Sequence, residues 1–296
     1  MSTRLARTAD SWWAVTPAGL VRLDLPAATT AGLLADRTAL AAAVRAAQAR
    51  QQDAVPAESL DLLSPVTAPA RVVAQAVNYR SHATDSGFDP DRVPAAFFRK
   101  ASHSVTGPTG DIIRPDGVGF LDYEVELGLV IGADLLVGTT VTDADLARYV
   151  AALVVADDVS ARQIQLVKTQ FYEAKSYPTF TPVGPWLTLV DAADLARLDS
   201  LRLTLSVNGE VRQDSTTAGR RPTPATCATA TSSPRPSDRL TGSSTSARNA
   251  PPLSGRRHDH ARNEDTAAAR LDLSAAAGRG RRLAGRHRDA VDPGPG

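Results

Sequence analysis

Hydrophobic and polar positions along this chain follow three different grammars. Over the first 65 residues, Trp12 to Val21 alternates weakly, as a strand would. Ala31 to Gln51 is Ala-rich with Leu and Val at helical spacing, and Pro56, Pro65 and Pro69 punctuate the passage onward. From Arg71 the pattern changes to short apolar runs bounded by turn residues. RVVAQAV reads as a buried strand, and Asp122 to Gly132 (DYEVELGLVIG) as a longer one, apolar enough at its end to be covered on both faces. TDADLARYVAAL, with Thr142 or Asp143 as N-cap, predicts a helix running into a strand around Val154. PWLTLV is a further strand. LRLTLSV-NG-EVRQ predicts a hairpin turning at Asn208-Gly209, the strongest local signal in the chain. No internal repeat is present.

After Thr217 the pattern has neither a period of 2 nor one of 3.6. From Gly219 to Gly296 the large apolar side chains are five Leu and one Val, too few for a core. All the aromatic residues lie at or before Trp186 and all three Lys at or before Lys175. The formal charge of +1 is therefore an average, because the tail carries 14 Arg against seven acids while residues 1–218 are net acidic. One even globular domain is excluded, and residues 265–273 (DTAAARLDL) could form at most an isolated helical turn or two. The single Cys227 cannot form an internal disulfide, and no Cys/His spacing suggests zinc. With no apolar run long enough to span a membrane and no secretory h-region, a soluble cytoplasmic protein is expected. The basic tail lacks aromatics to stack on bases, which argues against a nucleic-acid partner.

Candidate chemistry concentrates between residues 82 and 175. Glu124 and Glu126 are one residue apart in an expected strand, so both carboxylates point to one face. On a mostly buried strand they need a counter-charge, which a hard divalent cation supplies; on an exposed strand the same pattern is only a solvated face. Asp158 follows an apolar strand and could complete a three-oxygen site, although Asp157 or Asp158 could equally cap a helical turn. His82 and Asp85 are three apart, so on a short helix the acid could orient the imidazole as a general base; on a loop they are a surface pair. Lys175, among aromatics, could sit beside a carboxylate or an anionic substrate, or simply snorkel.

Taken in order, VVAQAVNYRSHATDSG, FFRK, TGPTGDIIRP, DYEVELGLVIG, ADDVSARQIQ, AKSYPTFTPVGPW and VNGEVRQDSTT resemble the fumarylacetoacetate hydrolase family over about residues 66–217. The resemblance implies an α+β fold: a mostly-β mixed-sheet roll over 66–217, a small N-terminal α+β domain over 1–65, and a disordered tail over 218–296. It implies Glu124, Glu126 and Asp158 as ligands of Mg²⁺ (Mn²⁺ or Ca²⁺ in some members). His82, Asp85 and Lys175 take the catalytic positions, and Tyr79, Lys100, Arg162 and Gln165 those that bind substrate or shape its pocket. A homodimer acting on a small oxo acid is implied as well.

Departures are specific. Asp85 is one methylene shorter than the family's Glu, and Ala174 stands where the family has Gly. The family's Thr-Gly-Thr-Pro should fall near residues 245–248, where this chain reads TSAR. The abrupt change near Thr217 suggests an out-of-frame reading of a GC-rich gene, against which stands a genuine disordered tail. The leading expected activity is hydrolysis of a C–C bond in an acylpyruvate-like 2-oxo or 1,3-dicarbonyl acid. The alternatives are isomerisation, decarboxylation or hydration by the same enolate-stabilising site, or an inactive, incomplete product.

Overall fold

The computed structural model describes residues 2–218, apart from 80–83, 85, 86, 88, 90, 93–95, 137 and 169, and the backbone of Ala269–Leu271. The chain opens with β1 (Arg4–Arg7), β2 (Trp12–Thr16) and β3 (Gly19–Arg22). The single weak strand expected over 12–21 is thus a hairpin. Gly19 makes the return possible: its φ is +133°, and a Cβ there would meet the Val55 carbonyl oxygen at 2.5 Å. The helical run divides too, into α1 (Thr30–Ala35) and α2 (Arg37–Ala49). Asp36 is extended, and its carboxylate accepts the Ala39 N–H at 2.9 Å, so the polar side chain that ends one helix caps the next. Leu40, Ala43, Val44 and Ala47 recur at helical spacing and are buried.

Short strands follow: β4 (Val72–Ala76), β5 (Ala96–Lys100), β6 (Val105–Thr106), β7 (Leu121–Asp122) and β8 (Val125–Ile131). The expected strand over 122–132 is therefore two, interrupted at Tyr123 and Glu124. Next come α3 (Leu146–Tyr149), β9 (Val150–Asp157), β10 (Ser160–Ala161), α4 (Arg162–Gln165), β11 (Thr181–Pro182), β12 (Leu187–Leu189) and α5 (Ala192–Leu195). The helix expected from Thr142 shrinks to a 3₁₀ turn and α3, because the β-branched and apolar run from Val150 is taken into the central sheet as β9.

That sheet has the order β3-β2-β1-β12-β9-β8. The residues expected to form a separate N-terminal unit do not close a sheet of their own: β1 pairs antiparallel with β12, Arg4 opposite Thr188. Trp12, Leu33, Leu40 and Val44 from the amino-terminal part share one apolar cluster with Val130, Ala152 and Leu187. Among the smaller sheets, β11 and β6 run parallel and β4 and β5 antiparallel, so the fold is mixed-sheet with few helices.

β13 (Arg202–Val207) and β14 (Glu210–Thr216) form the expected hairpin, with Asn208 and Gly209 both at positive φ as its turn requires. On the free edge of β13 lies β15 (Ala269–Leu271), antiparallel, where the sequence suggested a helical turn. Leu203, Leu205 and Val207 pack on Val125 and Val155, and so brace the back of the strands that carry the candidate site. Leu205 is fully buried. Leu205→Ala is expected to lower unfolding free energy by about 3 kcal/mol, read from urea denaturation. A change within error would mean that the hairpin does not brace β8 and β9.

Candidate active site

β8 and β9 are antiparallel neighbours, with Glu126 opposite Ala156 and Val125 opposite Asp157. Val125 faces the β13 cluster, so the residues on either side of it, Glu124 and Glu126, turn to the opposite face. Across the pair, the Asp158 N–H donates to the Glu124 carbonyl at 2.8 Å, and the Glu124 N–H donates to Asp157 Oδ1 at 3.0 Å. These bonds fix the start of one strand against the end of the other and set three acidic residues side by side.

Two buried lysines meet them. Lys175 arrives because the Ala161 N–H donates to the Ala174 carbonyl at 2.8 Å, docking its segment on β10. Ala174 is fully buried, so the methyl group that replaces the family's glycine is accommodated. The Lys175 ammonium donates to Glu124 Oε2 at 2.8 Å and to Asp158 Oδ2, and stands 5.0 Å from the centre of the Phe98 ring. Lys100, at the end of β5, donates to Asp158 Oδ1, to the Phe180 carbonyl at 2.8 Å and to the Val159 carbonyl at 3.3 Å. An ammonium has three N–H donors, and all three of Lys100's are engaged. Lys100, which the resemblance places among residues that bind substrate or shape its pocket, is here a buried post holding Asp158.

Arg162 completes the cationic side. Its Nη2 lies 2.8 Å from Glu124 Oε1, its Nε donates to Asp122 Oδ2 at 2.6 Å, and its Nη1 donates to Gln165 Oε1 at 2.6 Å. Gln165 is thereby turned onto the guanidinium. Tyr79 is half-buried beyond the end of β4. His82 and Asp85 lie outside the described residues.

The charges are unevenly matched. Burial opposes the Glu124 charge, but Lys175 and Arg162 outweigh it and hold that carboxyl below its ordinary range. For Glu126, burial and the neighbouring Asp158 and Glu124 carboxylates act together and push its carboxyl up to about 8. Among the described residues no hydrogen-bond donor meets the Glu126 side chain. Burial likewise pushes Asp157 up to about 6, against the Glu124 N–H bond, and Asp157 Oδ2 is buried with no partner. The Asp157 carboxylate was weighed in sequence only as a possible helix cap; a second acid directly before Asp158 was the one signal that it belonged to the site.

Among the described residues no three metal-ligating side chains are gathered closely enough to cage an ion. The expected triad of Glu124, Glu126 and Asp158 is adjacent, but lysine and arginine nitrogens lie on Glu124 and Asp158. The donor chemistry nonetheless fits a hard divalent cation: all are carboxylate oxygens, and Glu126, whose ionisation burial and its acidic neighbours oppose, is the carboxyl that a cation's charge would favour in ionised form.

Two β-branched residues near the site hold left-handed backbones, Val77 at φ +52° and Thr179 at φ +68°. Thr179 Oγ1 accepts the Ile113 N–H at 2.8 Å, and the next residue, Phe180, supplies a carbonyl to Lys100. Local strain of this kind clusters at functional sites.

A mixed-sheet fold carrying adjacent acidic residues on β8 and β9, with lysines from two other segments, defines a buried carboxylate centre braced by cations. The fumarylacetoacetate (FAA) hydrolase C-terminal pattern matches residues 71–234, more than half of the sequence and past Thr217. The chain belongs to the fumarylacetoacetate hydrolase family. It is 36% identical over 181 residues to the mitochondrial oxaloacetate tautomerase Fahd2a of Rattus norvegicus, covering 61% of this chain and 56% of that protein. It is 34% identical over 155 residues to the 4-hydroxyphenylacetate degradation bifunctional isomerase/decarboxylase of Salmonella dublin, covering 52% of this chain and 35% of that one. The matched part thus spans little more than half the length of the first of these curated relatives and about a third of the second. A crystal structure of a probable 2-hydroxyhepta-2,4-diene-1,7-dioate isomerase from Mycobacterium abscessus superposes with a TM-score of 0.56 at 27% identity, covering 74% of this chain and 75% of the other. The names of these relatives carry isomerisation, tautomerisation and decarboxylation, the alternatives to the hydrolysis expected first. Among the described residues no helix is long and apolar enough to cross a membrane.

Proposed function

We propose that this protein catalyses keto–enol isomerisation of a small 2-oxo dicarboxylic acid of the oxaloacetate type, with decarboxylation of the same class of acid as the second reading. The observation that carries it is the Lys175 ammonium, buried and shared between Glu124 and Asp158 beside a carboxylate, Glu126, that meets no hydrogen-bond donor among the described residues. The names of the relatives support the same reading.

In the enol-to-keto direction a proton leaves the 2-hydroxyl oxygen and a proton is added at carbon 3, so negative charge passes through an enolate. Lys175 has two N–H bonds committed to carboxylates; its third is the donor we assign to the enolate oxygen. Arg162, held by Asp122 and Gln165, fixes the Glu124 carboxylate, and Lys100 fixes that of Asp158. Glu124, Glu126 and Asp158 would hold Mg²⁺, or Mn²⁺ or Ca²⁺; when bound, such an ion supplies Lewis-acid stabilisation of the enolate oxygens. His82, with Asp85 three residues further along the sequence, is the residue we assign to move the carbon-bound proton.

The test compares two assays on one preparation with Mg²⁺: loss of the ultraviolet absorbance of enol-oxaloacetate, and cleavage of an acylpyruvate. Acceleration of the first above the buffer rate, abolished in Glu124→Gln, is expected. Cleavage of the acylpyruvate without tautomerase activity would restore the hydrolase reading.

A further inference from the structure

The geometry points to Gln163, a residue the motif analysis passed over, as a positioning residue that sets Arg162 and through it the Glu124 carboxylate. Its side chain is exposed, yet every polar atom is engaged with one loop. Gln163 Oε1 accepts the Gly119 N–H at 2.7 Å and the Phe120 N–H at 3.1 Å, and its Nε2 donates to the Gly117 carbonyl at 2.6 Å. One amide thus satisfies three backbone groups across more than forty residues of sequence.

What the loop carries explains why this matters. Gly117 takes φ +78°, a left-handed turn that a Cβ would strain. Val118 is buried against Val159, Ala161 and Phe180, the residues that flank Asp158 and support Lys100. The Phe120 carbonyl accepts the Arg162 N–H at 3.0 Å. Two residues on, Asp122 takes the Arg162 Nε–H at 2.6 Å, and β7 is held to β10 by the register of Asp122 with Ser160. The guanidinium therefore has two supports that both depend on where residues 117–122 lie: its own backbone through Phe120 and its Nε through Asp122. The hydrogen bond from Nη2 to Glu124 Oε1 is the output of that arrangement. Gln163 closes the loop from the far side, from the same short helix, α4, that carries Arg162, so clamp and guanidinium move as one body.

A simpler role would be solubility or helix propensity, but neither uses both ends of the amide on three backbone partners. Because Val118 keeps the loop anchored in the core, removing the clamp should loosen it without unfolding the protein.

The inference rests on the proposed carboxylate centre only in its second readout. The first is the Arg162 Nε–H signal in ¹⁵N NMR of the full chain without added metal, identified by its absence in Arg162→Lys. In the native protein, bonded to Asp122, it should exchange slowly with solvent; in Gln163→Ala it should broaden or vanish while the thermal midpoint stays nearly unchanged. Gln163→Glu keeps an acceptor for the two N–H groups but loses the donor to the Gly117 carbonyl, and should restore it only in part. The second readout is the Mg²⁺ isotherm, in which Gln163→Ala is expected to weaken affinity by about tenfold, as loss of a ligand's supporting hydrogen bonds does. An unchanged Arg162 signal in Gln163→Ala overturns the positioning role outright. If native protein fails to bind Mg²⁺, the proposed metal-dependent function falls, and the Arg162 signal still decides the role of Gln163.

Discussion

Lys175→Met is expected to reduce turnover severely and to lower unfolding free energy by about 3–5 kcal/mol, the usual consequence of removing one partner from a buried ion pair. Lys175 is 3% exposed, so the charge lost cannot be replaced by bulk water. Its ammonium lies between Glu124 Oε2 and Asp158 Oδ2, and without it those two carboxylates face one another across an apolar gap beside Phe98. Lys100 and Arg162 still neutralise the other oxygen of each. The protein should therefore fold at low denaturant, with a shifted urea midpoint. The catalytic loss is expected to exceed about 100-fold in kcat, because the donor assigned to the enolate oxygen is gone. Mg²⁺ affinity should move in the opposite direction, since the site becomes more negative. Lys175→Arg separates charge from shape: it keeps the cation but replaces a compact ammonium by a planar fork. Turnover surviving in Lys175→Met at more than a tenth of the native rate would remove Lys175 from the chemistry.

The chemistry legible in the sequence was that which depends on local periodicity. A period of 2 puts Glu124 and Glu126 on one face whichever strands lie beside them, and Asn208-Gly209 specifies its turn from two residues. Asp158 could be placed at the end of a strand because the apolar run before it stops there. Illegible was everything decided by a partner distant in sequence. Nothing near Arg4 says that it pairs with Thr188, so the amino-terminal strands read as a separate unit when they extend the central sheet. For Lys100 the resemblance supplied a place near the site, but no residue around it in sequence shows that three acceptors wait for it, at Asp158, Val159 and Phe180. Gln163 was hidden for the same reason, its partners being backbone groups that carry no sequence signature. The helix over Ala31 to Gln51 had the right faces, but its break at Asp36 is a capping event that hydrophobic spacing ignores.

Stability of the metal-free protein should fall steadily as pH rises from 5 to 9, and Glu126→Gln should flatten most of that fall. The sign follows from two raised carboxyls, Glu126 at about 8 and Asp157 at about 6, against ordinary values of 4.5 and 3.8. The folded protein holds protons that the unfolded chain has released, so their contribution is full below the unfolded values. It is lost as pH climbs through about 6 for Asp157 and about 8 for Glu126. Each group in that window changes stability by up to about 1.4 kcal/mol per pH unit. Asp157→Asn keeps an oxygen for the Glu124 N–H while removing the buried charge, and should raise the thermal midpoint at pH 8 more than at pH 5. The same protons couple to cation binding. Glu126 must give up its proton to serve as a ligand, so at pH 7 binding should release close to one proton per site, and apparent affinity should rise until pH passes 8. Calorimetry of Mg²⁺ binding in two buffers of different ionisation enthalpy counts that proton directly. A midpoint independent of pH in chelator-treated protein would show that Glu126 is solvated and charged throughout. In that case Glu126 would not be a carboxyl whose ionised form a cation's charge is needed to favour.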